Sequence, residues 1–173
     1  MEFRVRAATR EDCRDISRMI RELAVYEKMP DGMKISHEEL ERDGFSQNPF
    51  FHCLVAEVPP QHRTKEGYTL VGYALYFYTY STWEGRSLYM EDFYVMPEFR
   101  GKGIGKALIS NVARIGKEHQ CVRLNFSVLS WNTPAINFYL NKGAQDLTTS
   151  DGWHCFRFDR EALDKLAEEA VKQ

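Results

Sequence analysis

The stretch VMPEFRGKGIGKALI, residues 95–109, sets three glycines within five positions between an apolar run and a helical pattern. Gly101, Gly103 and Gly105 remove side chains where something must approach the main chain closely. Ile104, Leu108, Ile109 and Val112 then recur at helical spacing. A glycine turn that opens a helix presents unpaired N–H groups and the positive end of the helix dipole, which is a site for an anion such as a phosphate. Two common phosphate loops do not fit. A magnesium-nucleotide loop needs Ser or Thr after Gly-Lys, and here Ala107 follows Lys106. A dinucleotide loop needs a third glycine three positions after the second, where Lys106 stands.

The flanking sequence is ordinary for a globular domain. The chain has 173 residues, 43% hydrophobic and 28% charged, so it is long enough to bury a core within one domain, residues 1–173. Its 23 Lys and Arg against 25 Asp and Glu leave a net charge of −2, which argues against a nucleic-acid partner. Cys13, Cys53, Cys121 and Cys155 are scattered, with no CxxC pair and no neighbouring His cluster, so no metal site is expected. Each cysteine reads as a small buried hydrophobe. Free thiols point to a reducing, cytoplasmic setting, and the charged N-terminus MEFRVRAATRED is no signal peptide. No apolar stretch approaches bilayer length, so no membrane partner is expected.

Along the chain, FRVRAAT alternates as a strand. Thr9 with Asp12, and Ser36 with Glu39, are capping boxes for two helices, the second ending near Gly44. Strands are expected over 52–58, 70–83, 87–96, 121–128 and 152–158, with a hairpin loop at 59–69 and a turn at 85–86. Helices are expected from the glycine loop to about His119, from Asn132 to Gly143, and after Asp159. The order is that of an α+β domain with an antiparallel meander and a later β–α–β crossover.

What remains of the glycine loop is Arg100-x-x-Gly103-x-Gly105, which resembles the acetyl-CoA pyrophosphate loop of the GNAT acetyltransferases. FHCLVAEVP (51–59), LYMEDFYVMPEFRGKGIG (88–105), WNTPAINFY (131–139) and DLTTSDGW (146–153) together resemble the diamine acetyltransferases, from about residue 3 to 166. That family comprises the spermidine/spermine and thialysine ε-acetyltransferases. The resemblance implies the acyl-CoA N-acyltransferase fold, a mixed and mostly antiparallel twisted sheet flanked by helices. It also implies acetyl transfer from acetyl-CoA to a small amine, without a metal, in a homodimer. Where the polyamine branch has Thr-Tyr-Asp-Pro-Trp, this chain has TYSTW (79–83), as the thialysine branch does. Ser81 brings no formal charge, and losing a carboxylate that faces an ammonium costs about 1–3 kcal/mol in a partly buried site. A shorter amine such as thialysine is therefore expected over spermidine or spermine.

Acetyl transfer to an amine needs proton removal from the ammonium, oxyanion stabilisation and a proton for the thiolate. By resemblance, Glu91 assists deprotonation and Tyr139 protonates the departing sulfur. Phe93, Tyr94 and Val95 offer strand backbone to the pantetheine arm. Arg100, Gly101, Lys102, Gly103, Ile104, Gly105 and Lys106 hold the pyrophosphate, and Asn132, Thr133, Pro134 and Ala135 follow it. Tyr26, Glu27, Ser81, Trp83, Glu91, Asp92, Asn125, Phe126, Ser127 and Asp151 line the amine site. Strand alternation sets Glu91 on the face of Phe93 and Val95, opposite Asp92. Plainer roles exist beside these: a solvated carboxylate for Glu91, core packing for Tyr139, a helix cap for Asn132 and a solvated helix end for Tyr26 and Glu27. A protein lysine acetyltransferase and a non-catalytic module of the same fold are the rival functions.

Overall fold

A computed structural model describes residues 1–170. The described residues form two compact units, residues 1–129 and 130–170. In the first, the strands are β1 (Arg4–Ala7), β2 (His52–Glu57), β3 (Leu70–Ser81), β4 (Gly85–Val95) and β5 (Arg123–Asn125). They form one sheet in the order β1-β2-β3-β4-β5. The first four pair antiparallel as a meander, and β5 joins β4 in parallel after the helical crossover α3 (Ile104–Glu118). Helices α1 (Cys13–Tyr26) and α2 (His37–Gly44) precede β2.

Local signals explain the helix starts. The Asp12 carboxylate accepts from the Thr9 backbone N–H at 2.7 Å, opening a short 3-10 turn that continues into α1. Ser36 accepts from the Glu39 N–H at 3.2 Å to start α2. The two layers over the sheet are fixed by contacts of opposite parity. On one face, Gly72, Gly105 and Gly116 leave room for the close approach of α3: a Cβ on Gly105 would come 3.3 Å from the Phe93 ring, and one on Gly116 would strike the Leu88 side chain. On the other face, the Tyr94 hydroxyl donates to Glu22 of α1 at 2.8 Å, and Glu22 accepts from Arg18 at 2.8 Å. Arg18 also donates to the Leu70 carbonyl at 2.8 Å. The core between these layers holds Ile16, Met19, Val55, Tyr73, Leu88, Leu108 and Val112, each essentially removed from water.

The second unit carries α4 (Thr133–Asn141), α5 (Leu147–Asp151) and α6 (Arg160–Glu168). Gly143 takes φ 97°, the left-handed conformation that ends α4, as its sequence position predicts. Two strand expectations fail. The expected strand over 121–128 is laddered only at Arg123–Asn125, because β5 follows β4 for three register pairs and then leaves it. Residues 152–158 have no ladder at all, and Phe156 is 91% exposed. Their alternation is real, but a strand exists only through a partner, and none pairs with this segment among the described residues. Cys13, Cys53 and Cys121 are buried as expected, whereas Cys155, within this segment, is exposed. No helix among the described residues is long and apolar enough to cross a membrane.

Candidate active site

The centre of the site is a discontinuity in β4. Register pairs Tyr76 with Met90 and Leu75 with Asp92, so Glu91 is an inserted residue, a β-bulge. Side chains on either side of it confirm the change of phase. Leu88 lies against Gly116 and Phe93 against Gly105, both on the α3 face, although they are five residues apart. In an unbroken strand they would face opposite ways. The change of phase falls at Glu91, and Asp92 beyond it lies on the α1 face with Tyr94. The inserted residue interrupts the simple alternation that set Glu91 on the face of Phe93 and Val95.

Asp92 is largely buried there and its carboxylate accepts from the Tyr73 hydroxyl at 2.8 Å. Burial pushes the Asp92 carboxyl above the usual carboxylate range, and the Tyr73 bond opposes that rise. Glu27 caps the C-terminal end of α1, its N–H bonded to the Leu23 carbonyl at 2.8 Å. Burial, and then the nearby Asp92 charge, raise its carboxyl too. Two partly desolvated carboxyls close enough to feel each other would each be favoured in the charged form by a cation placed between them. Beside them Tyr26 ends α1, and the Arg100 guanidinium lies over its ring at 5.0 Å and over that of Tyr94 at 5.8 Å. Arg100 also donates from Nε to the Val95 carbonyl at 2.8 Å. Its charge is thus turned back onto the strand and the end of α1, rather than out along the glycine loop.

The same face continues toward the β3–β4 turn as a polar stripe. The Tyr89 and Ser127 hydroxyls lie 3.1 Å apart, with the Tyr89 ring stacked on Phe77 at 5.4 Å; Thr79 and Ser87 hydroxyls lie 2.9 Å apart. Asn125, paired with Tyr89 in the ladder, shares this face, and Phe126 follows where the ladder ends. At the far end the Ser81 Oγ accepts from the Trp83 and Glu84 N–H groups at 3.3 and 3.1 Å and from Arg123 at 3.1 Å. Arg123 lies 3.9 Å from Glu84. Ser81 is therefore a turn cap with a guanidinium beside it, and Trp83 projects from the turn, 84% exposed.

The glycine loop fits an anionic group. Gly101 and Gly103 take φ 78° and 86°, a backbone that side chains other than glycine rarely adopt, and neither has any atom within 4 Å of where a Cβ would stand. Gly103 caps α3, whose first turn holds no acidic residue and carries Lys106. Lys102 and Lys106 are exposed, Ile104 is buried beneath, and the Ala107 N–H is the first to bond back, to the Gly103 carbonyl. Beyond Tyr89 the β4–β5 ladder stops, so Phe93, Tyr94 and Val95 run on past the splayed end of β5.

The second unit carries the remaining residues. Asn132 caps α4 by accepting from the Ala135 N–H at 3.4 Å, with Thr133 and Pro134 in the first turn. Tyr139 stands near the end of that helix, its ring edge-on to Phe138 at 5.5 Å. Asp151 closes α5, which Asp146 caps. Sequence reasoning missed the bulge, the Tyr73–Asp92 bond and the Arg123–Ser81 contact. None has a local signal, since each depends on which strand lies alongside.

A meander joined by a parallel strand, with a glycine loop and helix between them, defines the acyl-CoA N-acyltransferase architecture. The chain belongs to the acetyltransferase (GNAT) family, whose model matches residues 17–143 and so runs across both units. It is 52% identical over 163 residues to the thialysine N-epsilon-acetyltransferase of Sus scrofa, covering 94% of this chain and 96% of that one. It is 44% identical over 165 residues to the spermidine/spermine N(1)-acetyltransferase-like protein 1 of Homo sapiens, covering 95% of this chain and 24% of that protein. Among solved structures, an integron cassette protein of V.cholerae matches with TM-score 0.76 and 26% identity, covering 98% of this chain and 99% of that one.

Proposed function

We propose that this acetyltransferase moves the acetyl group of acetyl-CoA to the primary amine of a small, thialysine-like substrate, and that residues 1–173 act as one catalytic domain. The observation that carries the choice of substrate is the contrast along one sheet face between the Asp92–Glu27 carboxylates and the Ser81–Arg123 end. A single ammonium is held at the first; a long polycation that extended to the second would meet a guanidinium. Similarity to the thialysine enzyme over nearly the whole chain supports the same reading.

Gly101–Lys106 are the residues that would hold the pyrophosphate, and the β4 backbone at Phe93–Val95 the pantetheine arm. When bound, acetyl-CoA supplies the activated acetyl group. In this reading, Asp92 and Glu27 hold the ammonium, and Glu91, at the neighbouring bulge, takes its proton. A phenol with pKa near 10 is protonated at neutral pH and suits Tyr139 to donate to the departing thiolate. A homodimer and a cytoplasmic setting belong to the same proposal.

The test is steady-state acetylation by purified protein with thialysine, lysine, putrescine, spermidine, spermine and a lysine peptide. Thialysine is expected to give the highest kcat/KM. A lead for spermidine or spermine overturns the substrate choice, and a lead for the peptide favours the protein lysine reading. Tyr139→Phe should lower kcat by about 100-fold or more while leaving acetyl-CoA binding intact; an unchanged kcat removes Tyr139 as the proton donor.

A further inference from the structure

Tyr73 stands at the middle of β3, 0% exposed, in a core otherwise filled by aliphatic and aromatic groups. A phenylalanine would fill almost the same space. Burying a hydroxyl there is costly unless it is bonded, and its bond is to Asp92 at 2.8 Å. The contact is diagonal. The ladder sets Tyr73 opposite Tyr94, rings 6.2 Å apart, and Leu75 opposite Asp92. Asp92 stands two residues before Tyr94 in unbroken ladder and so shares its facing, which brings its carboxylate within reach of the Tyr73 hydroxyl. From geometry and burial together, we infer that Tyr73 is a positioning residue: its hydroxyl bonds the Asp92 carboxylate and holds it in one orientation, so that Asp92 and Glu27 receive the substrate ammonium as a pair. This deepens the proposed amine acetylation and rests on it for the identity of the cation.

The physical reasoning is one of competing charges. Glu27 from α1 repels an ionised Asp92. Cys53 from β2 also lies near this cluster, Arg100 lies over Tyr94, and Glu91 precedes Asp92 on β4 itself. Within the cluster the Tyr73 hydroxyl is a donor fixed by the sheet, so Asp92 has a charge-assisted partner before any substrate arrives. One carboxylate oxygen, Oδ2, is committed to Tyr73. That commitment fixes the side-chain torsion and determines where the other oxygen points.

The test is Tyr73→Phe in the full chain, assayed with thialysine and saturating acetyl-CoA across pH. The amine KM should rise about tenfold near neutral pH, with kcat within a factor of two and the acetyl-CoA KM unchanged. The acid limb of kcat/KM should move to higher pH, because the variant removes the bond that favours the carboxylate form. A carbon-detected NMR titration of the Asp92 carboxyl should show the same upward shift without reference to turnover. In an Asp92→Asn background, Tyr73→Phe should add nothing further to the amine KM. An acid limb and a carboxyl midpoint that both stay in place overturn the inference, and so does full additivity of the two substitutions. If Tyr73→Phe does not fold, Asp92→Asn decides: an acid limb that survives it shows that Asp92 is not the group Tyr73 serves. Wild-type protein that acetylates no amine overturns the functional reading alone, since the NMR titration still reports the Tyr73–Asp92 coupling.

Discussion

Two ends of one sheet face carry different electrostatics: buried carboxyls at one, and Arg123 beside both Ser81 and Glu84 at the other. At the bulge, Asp92 and Glu27 are partly desolvated, and their carboxyls are held above the ordinary range. At the β3–β4 turn, the Ser81 hydroxyl is spent on turn amides and on Arg123. The strands between are the same two strands, in the same ladder. The difference lies in what each end asks of its neighbours: the bulge gathers anions under helix α1, while the turn is exposed and places a cation. Charge can thus be distributed unevenly along one sheet face without any change in fold.

The strongest way to break this contrast is at the anionic end. Asp92→Asn or Glu27→Gln should lower kcat/KM for the amine by roughly 10- to 100-fold, the range for a charge-assisted bond, with acetyl-CoA binding unchanged. Equal loss for the amine and the cosubstrate would show that these carboxylates support the fold rather than the ligand. The next experiment alters the cationic end. Ser81→Asp combined with Arg123→Ser should shift the ratio of kcat/KM for spermidine over thialysine upward by about tenfold, read in a competition assay. No change in that ratio would separate the turn from substrate choice.

A third experiment uses pH. Because burial raises the folded-state values of Asp92 and Glu27, the folded protein holds protons there that the unfolded chain has already lost. Stability therefore falls as pH rises from the ordinary carboxylate range through the raised values, and the destabilisation persists at neutral pH. Asp92→Asn should accordingly raise Tm at neutral pH and lose that gain in acid, even as it lowers activity. Asp12 works in the opposite sense. Burial alone would raise its carboxyl, but the bonds from Arg6 at 2.7 and 3.0 Å and from Thr9 bring it below the usual range. Its contribution is present above the unfolded value and is lost as pH falls through the lowered one, which an acid melt of Asp12→Asn would reveal. The smallest effect is expected for Arg123→Ser alone, whose exposed contacts should shift stability by less than about 1 kcal/mol in a denaturant titration.

How much of this was legible in the sequence depended on how local each signal was. Thr9, Ser36, Asn132 and Gly143 announce helix ends through bonds made within a few residues, and each does what its position predicts. The glycine loop likewise speaks through its own backbone. The meander and crossover followed from the order of strands. The failures are non-local. The alternation of residues 152–158 is as clear as that of β2, yet it acquires no ladder. The bulge at Glu91 was invisible because nothing in EDFYV reports that β3 advances one residue less than β4. Arg123 reaches Ser81 across 42 positions of sequence.

The inserted residue in β4 also has a kinetic consequence. A chain with net charge −2 should draw small cations only feebly from a distance. With Asp92 near Glu27, and Glu91 beside Asp92 in the chain, negative charge gathers around the bulge, and under the proposed function a cationic amine should be steered by a local field the overall charge conceals. Such a field is short-ranged at physiological salt, decaying over about 8 Å. The association rate of a cationic amine should therefore weaken steeply with ionic strength in this nearly neutral protein, as though it belonged to a far more acidic one.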